Sequence, residues 1–172
     1  MIKITLPDGT IKEFAGNSTP MDVAKSISEG FARNVISASF NGTTIETSTP
    51  LTTDGSLILY TFSDTDGKKA FWHSSAHVLA EAILSFYPKA KLTIGPAIDN
   101  GFYYDVDLEE AVISDKDFKE IETKFLEIAR GKHEFSIRSV SKADALSKYT
   151  AENNPYKVCL LYTSPSPRDQ AK

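Results

Sequence analysis

A single cysteine, Cys159, stands among the 172 residues. One thiol excludes an internal disulfide framework and fits a reducing compartment, for which the cytoplasm is the default. Positive charge is also short: 19 Lys and Arg against 23 Asp and Glu leave a formal net charge of −4. No basic field therefore announces nucleic-acid binding, and RNA contact must come from local patches or from sequence outside this chain. No apolar run approaches 18 residues, and "MIKITLPDGT" opens directly on a strand pattern. Neither a membrane span nor a signal peptide is expected. There is no internal repeat, and only three histidines are present.

What is there has the composition of a globular protein, 41% apolar and 24% charged, long enough for one ordinary domain or two small ones. Residues 1–62 read as a mixed unit. "IKITL" and "TIKEF" alternate about a "PDG" turn, which predicts a hairpin. In "STPMDVAKSIS", Ser18 or Thr19 caps a helix with Pro20 at its first position and Met21, Val23, Ala24 and Ile27 buried. "NVISASF", an Asn41-Gly42 turn, "TTIET" and "SLILYTF" add strands, the last apolar enough to be central. Hairpin, helix, then strands is the order of a β-grasp, or ubiquitin-like, domain.

Polar residues 63–70 read as a short linker into a helix from about Lys68 to Tyr87, stopped by Pro88. Trp72, Ala76, Leu79, Ile83 and Phe86 form its core stripe. His73 and His77 lie on the next stripe, one turn apart, with small residues around them that leave room for a ligand. "AKLTIGPAIDNGFYYDVDL" predicts two strands joined by a turn at Asp99, Asn100 and Gly101. Tyr103 and Tyr104 point to opposite faces, so only one can line a pocket. A helix follows Ser114, with Phe118, Ile121, Phe125 and Ile128 inward, Gly131 at its end and His133 capping it. "EFSIRSV" predicts a strand. "SKADALSKYTAENN" predicts a helix capped by Ser141, with Ala145, Leu146 and Tyr149 packing. Residues 159–172 show no periodicity and read as a disordered tail or foreign sequence.

The spacing of the histidine pair alone fits rim residues bonded to nearby backbone, and i, i+4 is also a metal-ligand spacing. Two ligands do not make a structural zinc site, and no acidic or thiolate partner follows at suitable spacing. No metal site is expected here.

The amino-terminal unit and three motifs of the second go further. "ITLPDGT…STPMDVAKSIS…NGTTIE" resembles the TGS domain found at the start of threonyl-tRNA synthetases and in certain GTPases and stringent-response enzymes. "HSSAHVLAEAI", "IGPAIDNGFYYDVDL" and "YKV" resemble the editing domain that follows it in bacterial threonyl-tRNA synthetases. The resemblance runs over residues 1–158 and implies an α+β fold: a β-grasp TGS domain at 1–62, an incomplete editing domain at 63–158, and an unmatched tail at 159–172.

The family charges tRNA(Thr) with threonine in a class II core that uses ATP, magnesium and a zinc ion. Its full-length members are homodimers. Its editing domain hydrolyses serine mistakenly esterified to that tRNA. The resemblance makes His73 and His77 the pair that lines the site and positions water, where a neutral imidazole suits ester hydrolysis. It places Tyr104 at the pocket wall, in reach of ribose or substrate amine. It gives Lys157 the task of offsetting charge on the ester carbonyl. The family continues after "YKV" to a Cys-x-x-x-His motif and then the core. Here the resemblance stops after Val158, and no histidine follows Cys159 at that spacing. A truncated frame is therefore expected, without a cofactor of its own, poor or silent as a hydrolase and unable to activate threonine. The competing expectations are a non-catalytic TGS module that binds RNA or a regulatory ligand, and a freestanding deacylase.

Overall fold

The computed structural model describes residues 1–131, 133 and 139–163. They form two compact units, Met1–Ser74 with Ala97–Gly101, and Ser75–Pro96 with the residues from Phe102 onward.

In the first unit, β1 (Ile2–Thr5) and β2 (Ile11–Phe14) pair antiparallel. The Asp8 carboxylate accepts the Thr10 N–H at 2.9 Å and holds their turn. Helix α1 (Pro20–Ile27) starts at a reciprocal cap. Asp22 N–H donates to Thr19 Oγ1 at 3.2 Å, and Thr19 N–H donates to the Asp22 carboxylate at 2.9 Å. A short helix α2 (Glu29–Ala32) follows, which no periodicity announces. Strands β3 (Val35–Phe40) and β4 (Thr43–Ile45) flank Asn41 and Gly42, whose φ values of 50° and 81° are those of the expected turn. Strand β5 (Gly55–Thr61) closes the sheet.

The strand order is β2-β1-β5-β3-β4, with β5 central, parallel to β1 and antiparallel to β3. This is the β-grasp arrangement expected from element order. Ile2, Ile4, Leu6, Val23, Ala38, Leu51 and Leu57 make its core. Val23 and Ala24 are fully buried as expected, whereas Ile27, at the end of α1, is 44% exposed.

Residues 63–70 are not a linker. Helix α3 runs from Thr65 to Phe86, three residues earlier than its apolar pattern indicates. Asp64 explains the early start: its carbonyl accepts the Lys68 N–H at 2.9 Å, and its carboxylate takes the Thr61 N–H at 2.7 Å. The chain thus turns directly from β5 into α3. Gly67 is buried there, and a Cβ at that position would run into the Thr61 carbonyl. Phe62, Phe71 and Trp72 pack edge to face, with centroids 5.1 to 5.9 Å apart. Residues 65–74 consequently fall in the first compact unit, not in the second as the motif boundaries imply.

The second unit holds the rest of α3, β6 (Lys91–Leu92) paired antiparallel with β9 (Val106–Asp107), α4 (Asp115–Arg130), α5 (Lys142–Ala151) and α6 (Pro155–Thr163). The two expected strands of 90–108 are broken. β7 (Ala97–Ile98) pairs with β8 (Gly101–Phe102) separately from β6 and β9. Pro96 lacks an N–H and helps interrupt the ladder. The core is Ala82, Ile83 and Ile121, with Leu79, Val106, Phe125 and Ile128 against it. Two expected core positions turn outward instead, Phe86 at 43% and Phe118 at 57% exposure, while Tyr87 and Ile113 near the same helix ends pack against the core. Ala80 and Ala82 take the buried places on α3. Ser114 and Asp117 form the expected cap of α4, and Ser141 caps α5.

The expected tail at 159–172 is corrected over its first five residues. Residues 159–163 continue α6 to Thr163, because Asn154 and Pro155 start a helix there. Residues 164–172, and residues 134–138 of the expected "EFSIRSV" strand, lie outside the described residues.

Candidate functional site

His73 and His77 sit one turn apart on α3, and both side chains are exposed. Ala76 and Ala80, three and seven residues after His73 on the same side of the helix, are 1% and 4% exposed, so the histidines stand at the edge of the buried stripe. His73 opens on a cleft of about 720 Å³ in the first unit, shared with Thr65, Lys69, Ile98, Asp99 and Asn100. Asp99 and Asn100 look like plain turn residues in sequence. Their position beside His73 is set by folding, and nothing in their spacing reveals it.

Tyr104 belongs to the second unit, just before β9. Its ring is half-buried and lies against Gly95, where a Cβ would collide with it. Thr93 and Asp105 keep the two chains together at this point. Thr93 N–H donates to the Asp105 carbonyl at 3.1 Å, and Asp105 N–H donates to Ile94 at 2.9 Å. Burial pushes the Tyr104 phenol above its ordinary value, with a smaller contribution from Tyr149, so it stays a neutral donor. Tyr103 is 49% exposed. The alternation expected of a strand therefore leaves Tyr104 as the inward ring.

Lys157 lies in the first turn of α6, half-buried. Loss of water around its ammonium lowers its pKa, and no carboxylate pairs with it among the described residues. The start of α6 is fastened by two side chains missing from the sequence reading. Asn154 Nδ2 donates to the Leu92 carbonyl at 3.1 Å while its Oδ1 accepts the Lys157 N–H at 3.1 Å. Tyr156 Oη donates to Asp107 Oδ2 at 2.8 Å. The Asn154-Pro155 pair carries the same signal as Thr19-Pro20, a capping side chain before a first-turn proline. It is masked in sequence because the residues after it lack amphipathic periodicity.

The structure therefore puts His77, Tyr104 and Lys157 in one unit, and His73 one turn away from His77 on the shared helix. An imidazole pair can accept a proton, a neutral phenol can donate a hydrogen bond, and a desolvated ammonium can offset negative charge. Among the described residues, no group of three or more His, Cys, Asp and Glu is arranged to hold a metal ion. Among them, too, no helix is long and apolar enough to cross a membrane.

The family model of the TGS domain matches residues 2–61, the whole of the β-grasp sheet. Threonine–tRNA ligases match much further. That of Flavobacterium johnsoniae is 68% identical over 161 residues, 94% of this chain and 24% of the relative. The enzymes of Flavobacterium psychrophilum and Cytophaga hutchinsonii are 65% and 50% identical over the same shares, 24% and 25% of their own lengths. The chain is homologous to the amino-terminal, TGS-bearing segment of threonine–tRNA ligases. It spans about a quarter of the length of these relatives. The ligase match takes in 161 of 172 residues, so it reaches beyond the TGS domain into both compact units. His73, His77, Tyr104 and Lys157 thus stand in the ligase-like segment.

Proposed function

We propose that this segment serves a threonine–tRNA ligase, which joins threonine to tRNA(Thr) with ATP, and that its second unit with the α3 histidines proofreads the product by hydrolysing seryl-tRNA(Thr). The single observation that carries this reading is the ligase match over both units, at 68% identity, rather than over the TGS domain alone. The chemistry of the candidate residues supports the hydrolytic part. Serine differs from threonine by one methyl, worth only about 1–3 kcal/mol of binding discrimination, so a second, hydrolytic selection has a purpose.

In this mechanism, a water held by the His73 and His77 imidazoles attacks the carbonyl carbon of the seryl ester. An imidazole accepts the proton that water gives up. The Lys157 ammonium offsets the negative charge that collects on the carbonyl oxygen. Tyr104 donates to the ribose or orients the serine amine. The bond between the carbonyl carbon and the ribose oxygen then breaks, the proton passes to that oxygen, and serine leaves. The partners under this reading are tRNA(Thr) and, in a homodimeric class II ligase, a second copy. ATP, magnesium and zinc would serve the aminoacylation reaction of such a ligase. The setting is the cytoplasm.

The β-grasp unit also supports a second reading, since its TGS match ends at residue 61 and carries no hydrolytic group: a module that binds RNA or a regulatory ligand. Single-turnover hydrolysis of seryl-tRNA(Thr), with the 172-residue polypeptide in excess, separates the two. The proofreading reading expects hydrolysis faster than in buffer, slower than about 1 per second, and lost in His73→Ala and His77→Ala. Binding of the tRNA without any acceleration would favour the binding module instead.

A further inference from the structure

The first turn of α6 is held in a way that its own sequence does not require. A lysine near a helix start is ordinarily solvated and free to choose rotamers, and its four-carbon stem gives no fixed position to the amine. Lys157 is half-buried, and two neighbours bind the turn that carries it to a remote frame. Asn154 reaches across 62 positions to the Leu92 carbonyl on β6. Tyr156 reaches across 49 positions to the carboxylate of Asp107 on β9. Asp107 is itself held, its Oδ1 accepting the Glu109 N–H at 2.8 Å, and Lys91 pairs with Glu109 at 3.0 Å. β6 and β9 are partners in one ladder, with Leu92 opposite Val106. That ladder continues directly into Gly95 and Tyr104. The same hairpin thus carries the tyrosine and anchors the turn bearing the lysine.

We propose that Asn154 and Tyr156 are positioning residues for Lys157, clasping the first turn of α6 to the β6–β9 ladder so that its amine and the Tyr104 phenol share one frame. The inference rests on the proofreading reading for its purpose, but the clasp can be tested apart from it. Asn154 serves twice, since the oxygen of the same amide caps the Lys157 N–H while its nitrogen grips β6. Tyr156 acts from the solvent side, 40% exposed, where its ring contributes little to a core. Its hydroxyl is therefore the informative atom, and Tyr156→Phe removes it with minimal loss of packing.

The test is a double-mutant cycle on the full 172-residue chain. Tyr156→Phe and Asn154→Ala are made with Lys157 intact and again with Lys157→Ala, and single-turnover hydrolysis of seryl-tRNA(Thr) is followed. With Lys157 present, each variant is expected to slow the hydrolytic step about tenfold while tRNA affinity holds. With Lys157→Ala, neither should slow it further. Equal slowing in both backgrounds would overturn the proposal and leave a purely structural role.

A second readout does not depend on hydrolysis. With lysine side chains labelled for NMR, the Lys157 signal is assigned by its loss in Lys157→Ala. It should titrate below the exposed lysines and rise toward them in Tyr156→Phe and in Asn154→Ala, as the amine regains water. An unchanged Lys157 titration in both folded variants would overturn the clasp. A parent chain without hydrolysis matches the silence expected of a truncated frame, and this NMR result alone then decides the clasp.

Discussion

Gly95 shows how much of the site is decided by atoms that a residue lacks. The Tyr104 ring occupies the space where any side chain at position 95 would begin. Gly95→Ala is therefore expected to push the ring from its seat, cost about 1–3 kcal/mol of stability, and impair hydrolysis. Thermal unfolding and single-turnover rates check both parts. An alanine variant with the parent's melting temperature and rate would show that the ring can yield freely. In sequence, "IGPAIDNGFYYD" marks Gly95 and Tyr104 as members of one motif but gives no hint that they touch. Alternation did show that only one of Tyr103 and Tyr104 could face inward, and the buried one is Tyr104. The identity of Lys157 was legible from "YKV". Its half-buried state was not, because burial there depends on a hairpin some fifty residues earlier.

Elements that begin on local signals were the most legible. Thr19, Ser114 and Ser141 each cap the helix their sequence announces, since a cap involves only the next three residues. These caps also set a pH dependence. The Asp22 and Asp117 carboxylates are held below their ordinary value, first by the backbone N–H groups of Thr19 and Ser114 and then by the hydroxyls of the same residues. A carboxylate whose pKa falls on folding stabilises the folded chain above its unfolded value, about 3.9. That contribution is lost as pH drops through the lower folded-state value. Helicity should accordingly decline as pH falls below about 4, and Asp117→Asn should flatten the α4 part of the decline. Amide exchange in the first turn of α4 measures it; an acid profile unchanged by Asp117→Asn would refute the assignment. Elements built on remote partners were the least legible. The strands of 90–108 proved to be two-residue pieces, and α6 appeared where apolar residues lack any helical stripe. The apolar pattern also misplaced Phe86 and Phe118, because periodicity tells which face is apolar but not which apolar residues the neighbouring elements cover: Tyr87 and Ile113 pack on the core instead.

At the scale of the molecule, α3 is the element that most changed in meaning. Its first ten residues pack with the β-grasp unit through Gly67 and the Phe62, Phe71 and Trp72 rings, and its remainder enters the second core. The histidine pair straddles the point where the helix passes from one compact unit to the other. Both histidines lie on this one helix, one turn apart. The β-grasp order was readable from the succession of hairpin, helix and strands, and the ligase resemblance from three separated motifs. The cleft beside His73 was not readable, since it joins residues from distant parts of the chain. Discrimination between two esters of the same tRNA tests the central claim most directly. Single-turnover hydrolysis of seryl-tRNA(Thr) and threonyl-tRNA(Thr) by this chain should show the seryl ester cleaved faster than in buffer and the threonyl ester spared. Equal acceleration of the two esters, or a threonyl ester cleaved faster than the seryl ester, would contradict the account.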